Sequence, residues 1–217
     1  MSGLEFQRAR QPEQKQQRRA DILQSAVEML EEEGIDGVSL NALARRVGLA
    51  KSNMYRYFES REAILLELLR ADFHAWADEL EAGLGKIRGK RKVDKVAKLV
   101  GSSCAARPRM CQLISALSSV LEQNLSAETV HAFKLDALDL GARLAQALHQ
   151  ALPELGQAES LQLVRYTHSL ISGLWPAANP PPVVAQVMED PVLAPFKHDF
   201  EADVEQGVRL LALGLMR

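Results

Sequence analysis

Apolar residues recur at helical spacing along almost the whole chain, and the period-two alternation of a half-buried strand appears nowhere. Ile22, Ala26, Met29 and Leu30 predict a first helix over about residues 16–33, with Gly34 where a C-terminal cap belongs. Leu40, Leu43, Val47, Leu49, Met54 and Phe58 fall where two short helices joined at Gly48 can pack inward, and Ser39 can cap the first of them. From Ser60, a second N-cap, the stripe Ile64, Leu65, Leu68, Leu69, Phe73, Trp76, Leu80 and Leu84 predicts a rod on the order of 30 Å long. It gives way at Gly83, Gly85 and Gly89 to the basic connector GKIRGKRKVDK. Helical patterns then cover about 94–106, 108–122, 127–151, 157–175 and 199–216, with Pro108 in a first turn, Ser126 as an N-cap and Pro153 closing a helix. The stretch from Pro176 to Pro195 holds six of the nine prolines and reads as a long ordered or semi-ordered connection. The fold class is all-α, with about nine helices.

The segment SLNALARRVGLAKSNMYRYF, residues 39–58, carries the most chemistry. Its second helix holds Lys51, Ser52, Asn53, Tyr55, Arg56 and Tyr57 with hardly a carboxylate nearby, which is what a helix needs to enter a major groove. A net charge of −2 argues against a polyanion partner only until its distribution is seen. Residues 8–19 hold Arg8, Arg10, Lys15, Arg18 and Arg19 against Glu13 alone, and residues 41–61 hold Arg45, Arg46, Lys51, Arg56 and Arg61 against Glu59 alone. The six acids of residues 21–36 lie between. If they face solvent on the far side, the two basic segments form one phosphate-facing surface. Arg18 and Arg19 belong to a basic arm that can enter a minor groove, or to a solvated terminus, and Arg45 and Arg46 read as surface charge.

At 217 residues and 47% hydrophobic, the chain can bury a substantial core. No apolar run is long enough for a membrane span, and the first residues lack a secretory signal, so a cytoplasmic location is expected. Cys104 and Cys111 are too few for a disulfide framework. An enzyme finds little support. In GKIRGKRK a phosphate loop would need glycine where Leu84 stands and Ser or Thr where Arg91 stands. The five histidines are scattered, and no metal or cofactor motif appears. A thiol sensor built on the two cysteines and a pure protein-interaction module are the other readings; the second leaves the Lys, Arg and Tyr cluster without purpose.

The segments ILQSAVEMLEEEGIDGVSL and LARRVGLAKSNMYRYFESREAILLELL, with their Gly-Leu turn, Tyr-x-Tyr-Phe ending and acid-Ser-Arg-Glu entry into the next helix, resemble the TetR family of transcriptional regulators. The C-terminal stretch from Ser169 to Leu215 is similar to one branch of its ligand-binding domains. The resemblance implies a homodimer on a palindromic double-stranded DNA operator, most often a repressor, released when a small molecule enters the C-terminal domain. It implies residues 1–15 as a flexible basic arm, 16–60 as the helix-turn-helix domain, and 61–217 as the effector-binding and dimerisation domain. The family's DNA-contacting positions fall on Ser39, Asn41, Lys51, Ser52, Asn53, Tyr55, Arg56, Tyr57 and Arg61. Arg56 and Asn53 are the expected base readers, with Lys51, Tyr55, Tyr57 and Arg61 on phosphate. One of the two tyrosines is expected to be packed rather than free.

Phe200, Val204, Gly207, Val208, Leu211 and Leu215 share one face of the last helix, and Leu163, Leu170 and Leu174 lie on the helix before. They suit a four-helix interface between two copies, or an internal core; the family likeness favours the interface. Candidates for an apolar or aromatic effector's pocket are Trp76, Met110, Leu113, Leu117, Phe133, Tyr166, His168 and Trp175, although most of them read as plain core and His168 as a histidine with one satisfied hydrogen bond.

Overall fold

The computed structural model describes the backbone of residues 3–216 and the side chains of residues 13–216, so Arg8 and Arg10 of the expected arm lie outside the described side chains. Among the described residues ten α-helices follow one another: α1 (Gly3–Gly37), α2 (Leu40–Arg46), α3 (Lys51–Met54), α4 (Arg61–Leu84), α5 (Lys92–Ala105), α6 (Pro108–Ser115), α7 (Ala127–Ala151), α8 (Gln157–Ala178), α9 (Pro182–Val187) and α10 (Phe200–Leu215). The first helix starts earlier than its apolar stripe, at Gly3 rather than about 16; residues 13–17, just ahead of the stripe, are exposed. Its regular path ends at Gly34, where φ is 72°. The expected helix over 108–122 divides: after α6, Leu117–Leu121 widens into a π turn, with Ala116 O accepting from Val120 N at 2.9 Å and Leu121 N at 3.1 Å. The proline-rich connection contains α9 and a 3-10 turn, Pro191–Phe196.

The three expected serine caps form. Ser39 Oγ accepts from Ala42 N at 3.2 Å, Ser60 Oγ from Ala63 N at 3.1 Å and Ser126 Oγ from Thr129 N at 3.2 Å. Ile22, Ala26 and Leu30 of α1, Val38, Leu43 of α2, Met54, Phe58 and Ile64, Leu65 and Leu69 of α4 are buried and make the small N-terminal core. The larger core lies between α4, α5, α6, α7, α8 and α10.

Helix α4 belongs to both cores, and ion pairs fasten it to its neighbours. Glu67 pairs with Arg19, Asp72 with Arg109, Glu79 with Arg107, and Asp78 and Glu81 with Arg143. Asp136 of α7 takes Arg70 Nε at 3.0 Å and His74 Nε2 at 3.0 Å. Such partly exposed pairs add little stability singly, but they fix the rotation of α4 about its axis. That rotation decides which of its side chains face each core.

Candidate nucleic-acid interface and ligand cavity

The turn between α2 and α3 closes when Leu49 N donates to Ala44 O at 2.8 Å. Gly48 allows it, at φ 68°, a region open to glycine and strained for a side chain with a Cβ. The buried Leu43, Met54 and Phe58 then hold α2 and α3 against α1 and α4. α3 itself is a single turn; Arg56 N to Asn53 O at 3.2 Å and Tyr57 N to Met54 O at 2.9 Å carry the coil on to Tyr57.

Because Met54 and Phe58 point inward, Asn41 and Arg45 of α2 and Lys51, Ser52, Asn53, Tyr55 and Arg56 all stand exposed, Tyr55 at 54%. No acidic residue occurs between Asp36 and Glu59. Glu28 and Glu32 of α1 are taken up by Arg46, at 3.1 and 2.7 Å, which holds the Glu32 carboxyl below its usual range. Glu59 turns the other way: its carboxylate accepts from Ser126 N at 3.1 Å and Ser126 Oγ at 3.3 Å, and its pKa is lowered, chiefly by the Ser126 amide. The exposed face is therefore cationic with polar, hydrogen-bonding side chains between the charges. It is the chemistry that phosphates and base edges require.

Four expected residues have other work in the structure. Ser39 spends its hydroxyl lone pair on the α2 cap. Tyr57 is half-buried, so it is the packed tyrosine of the pair. Arg61 is half-buried, donating from Nε to Glu62 at 3.0 Å and from Nη1 to Val38 O at 3.2 Å, and so ties α4 to the α1–α2 junction. Arg19, expected in an arm, bridges Glu67 and Tyr57 O (2.6 Å), with its guanidinium 4.0 Å from the Phe58 ring centroid. A long side chain with a fixed charge reads the same in sequence whether it faces phosphate or clamps a turn.

In the larger domain, α4, α7 and α8 enclose a cavity of about 770 Å³. Trp76, Leu117, Phe133, Tyr166 and His168 line it, as expected, together with Phe73, Leu80, Leu84, Leu140, Leu144, Leu148, Val164 and Ile171. Met110, Leu113 and Trp175 do not. Met110 and Leu113 are fully buried elsewhere in the core, and Trp175 meets Phe200 edge-on with centroids 5.0 Å apart. Trp76 keeps its ring fixed by donating Nε1–H to the buried Ser103 Oγ at 3.0 Å. The α7 leucines at 140, 144 and 148 were missed although their spacing of four marks one helix face.

The interface expectation needs correction. Leu163 of α8 and Phe200, Val204 and Val208 of α10 are buried within the protomer, where α10 packs on α5 and α8. A Cβ on Gly207 would stand 2.8 Å from Leu170 of the same chain, so this glycine serves an internal contact. Leu170, Leu174, Leu211 and Leu215 are half-buried. The outer stripe of α10 is instead Leu210 (56% exposed), Leu213 (40%) and the exposed Gly214, and Val183, Val187, Val192 and Phe196 are exposed nearby in sequence.

Cys104 and Cys111 are buried, and the Cys111 thiol donates to Cys104 O at 3.4 Å. That neighbour and burial push the Cys104 thiol up, away from the thiolate a redox sensor needs. Among the described residues no three metal-binding side chains gather, and no helix is long and apolar enough to cross a membrane.

Two family models match the sequence: "Bacterial regulatory proteins, tetR family" over residues 22–68, and "Tetracyclin repressor-like, C-terminal domain" over residues 70–217. No curated protein matches. Among solved structures, the fatty acid degradation regulator FadR from Bacillus halodurans is 16% identical, with a TM-score of 0.57 over 91% of this chain and 96% of that one. A FadR from Bacillus subtilis in complex with stearoyl-CoA is 19% identical, with a TM-score of 0.57 over 90% and 98%. A protein of unknown function from Rhodococcus sp. RHA1 is 20% identical, with a TM-score of 0.56 over 92% and 96%.

Proposed function

Since the chain belongs to the TetR family of bacterial transcriptional regulators, both of its domains matching that family's models, we propose that it is a homodimeric, cytoplasmic repressor of a palindromic operator, released by a small effector. The observation that carries the reading is the exposed cationic face from Asn41 to Arg56, seated on a complete helix-turn-helix core. Asn53 and Arg56 read bases; Lys51, Ser52, Asn41 and Tyr55 hold phosphates. Ser39, Tyr57 and Arg61 contribute mainly by fixing where those side chains stand.

The cavity volume of about 770 Å³ lies in the range of small-molecule sites, about 300 to 1,000 Å³, and its wall is mainly apolar. The stearoyl-CoA of the Bacillus subtilis FadR complex belongs to that protein; here it directs the search for an effector towards long-chain molecules. Two connections lead from the cavity to the DNA face. α4 lines it with Phe73, Trp76 and Leu80 and begins at the helix-turn-helix core, while α7 lines it with Phe133 to Leu148 and meets Glu59 through Ser126. An effector that favours a different setting of either helix changes the separation of two recognition elements that must reach grooves about 34 to 36 Å apart. Its leverage is limited to its differential affinity, about 1 to 3 kcal/mol.

The reading is tested by fluorescence anisotropy on duplex DNA at several salt concentrations. Each subunit's face has three exposed cations, Arg45, Lys51 and Arg56, about six per dimer, so log affinity is expected to fall linearly with log salt at a slope near −5, roughly a thousandfold between 50 and 200 mM. Salt-independent binding, or none, contradicts it. The same titration on Glu59→Ala isolates the α7 route: DNA affinity within about threefold of the parent but a blunted ligand response. A parent-like response assigns the coupling to α4 alone.

A further inference from the structure

The wall of the cavity contains no carboxylate: its ionisable side chains are Lys134, Arg165, Tyr166 and His168. All four sit on α7 and α8, where the exposed Leu138 and Leu161 also line the cavity, so the opening lies between these two helices. Charge and opening therefore coincide, and the far wall along α4 is apolar. Lys134 is paired with Glu122, but Arg165 has no carboxylate partner among the described residues. Partial enclosure, and then the charge of Lys134, hold the His168 imidazole below its ordinary pKa, while Glu122 acts the other way; the balance favours the neutral ring. The rim carries one net positive charge from Lys134, Arg165 and Glu122, and its spare donors are concentrated on Arg165.

The apolar part is long. Lining residues run from Phe73 to Leu84 on α4 and from Phe133 to Leu148 on α7, about 16 and 22 Å at the 1.5 Å rise of a helix. A compact aromatic ligand would leave much of that length unfilled, and a wholly apolar one would make no use of the rim guanidinium.

We infer that the cavity takes a long-chain amphiphile, its tail between α4 and α7 and its anionic head at the α7–α8 rim, where Arg165 is the selecting residue. This rests on the reading of the cavity as the effector site. A carboxylate and a phosphate-bearing head share the chemistry; a carboxylate is the simpler probe.

The chain has two tryptophans, and only Trp76 lines the cavity. Trp175→Phe keeps an aromatic ring against Phe200 and leaves Trp76 as the sole reporter. In that background palmitate is expected to bind about tenfold or more tightly than hexadecanol, which has the same chain and a neutral head. Adding Arg165→Gln should bring the two affinities within about threefold by weakening palmitate and leaving hexadecanol unchanged. Calorimetry on the unaltered chain guards against an effect of the tryptophan replacement. Equal affinities in the parent, an undiminished preference in Arg165→Gln, or no binding of either probe would overturn the inference. Palmitate that binds without altering DNA affinity leaves the ligand class standing and removes the effector reading. Hexadecanol that binds as tightly and releases DNA does the reverse.

Discussion

A chain carrying Lys51→Glu and Arg56→Glu is expected to lose at least about a thousandfold in affinity for its operator while keeping its helix content, its melting temperature and its dimer. The loss follows from what the two side chains face. Both are exposed, both stand on the short recognition segment, and no carboxylate lies between Asp36 and Glu59 to neutralise them. An arginine reading a guanine edge is worth about 1 to 3 kcal/mol, and a reversed charge also repels the phosphates it formerly met. Two such losses sum to about 4 kcal/mol or more, at 1.4 kcal/mol for each factor of ten. Stability is spared because exposed substitutions with no partners rarely cost more than about 0.5 kcal/mol. Arg19→Ala makes the informative contrast: it removes a clamp on Glu67, Tyr57 O and Phe58, so it should lower the melting temperature before it touches DNA affinity. Mobility shifts beside thermal unfolding separate the two behaviours, and a double charge reversal that still holds its operator removes the recognition role from this segment.

The second large effect is expected at Leu210 and Leu213. Each is exposed in the protomer, on the stripe of α10 that the chain does not cover itself, and Leu→Glu at both should convert the dimer to a monomer. Burying a leucine is worth about 1.5 to 3 kcal/mol, and a two-fold interface uses each position twice. The pair therefore removes about 6 kcal/mol or more, on the order of ten-thousandfold in the dimer dissociation constant. Sedimentation at micromolar concentration reads this directly. Val204→Glu distinguishes interface from core, because Val204 is buried within the protomer and its replacement should cost folding rather than association. A Leu210→Glu, Leu213→Glu chain that still sediments as a dimer moves the interface elsewhere, the exposed valines between Pro182 and Phe196 being the next place to look.

That contrast also marks how far the sequence could be read. Features set by a few neighbouring residues were legible: the Gly34 stop, the Gly48 turn, the three serine caps, and the inward positions Leu43, Met54 and Phe58 that leave Lys51, Asn53 and Arg56 outside. The expected span of α7 and the long α4 followed from sustained periodicity. Which side of an apolar helix faces home was not legible, because α10 carries leucine or valine on both of its stripes and only the packing of α5 and α8 against it chooses between them. The same ambiguity placed Met110, Leu113 and Trp175 in a cavity they do not line. Contacts between distant segments left no local trace. Glu59 and Ser126 are far apart in sequence, and nothing near either announces that one would accept from the other's amide. Arg61 and Arg19 likewise look available in sequence and are committed in three dimensions.

The central claim is that the surface from Asn41 to Arg56 reads DNA twice, once in each subunit of a symmetric pair. Selection of bound duplexes from a randomised pool tests it most directly. The expected outcome is enrichment of an inverted repeat whose half-site centres lie about 10 base pairs, or a multiple of that, apart. A pool that stays unenriched, or a motif recovered equally by the Lys51→Glu, Arg56→Glu chain, contradicts it.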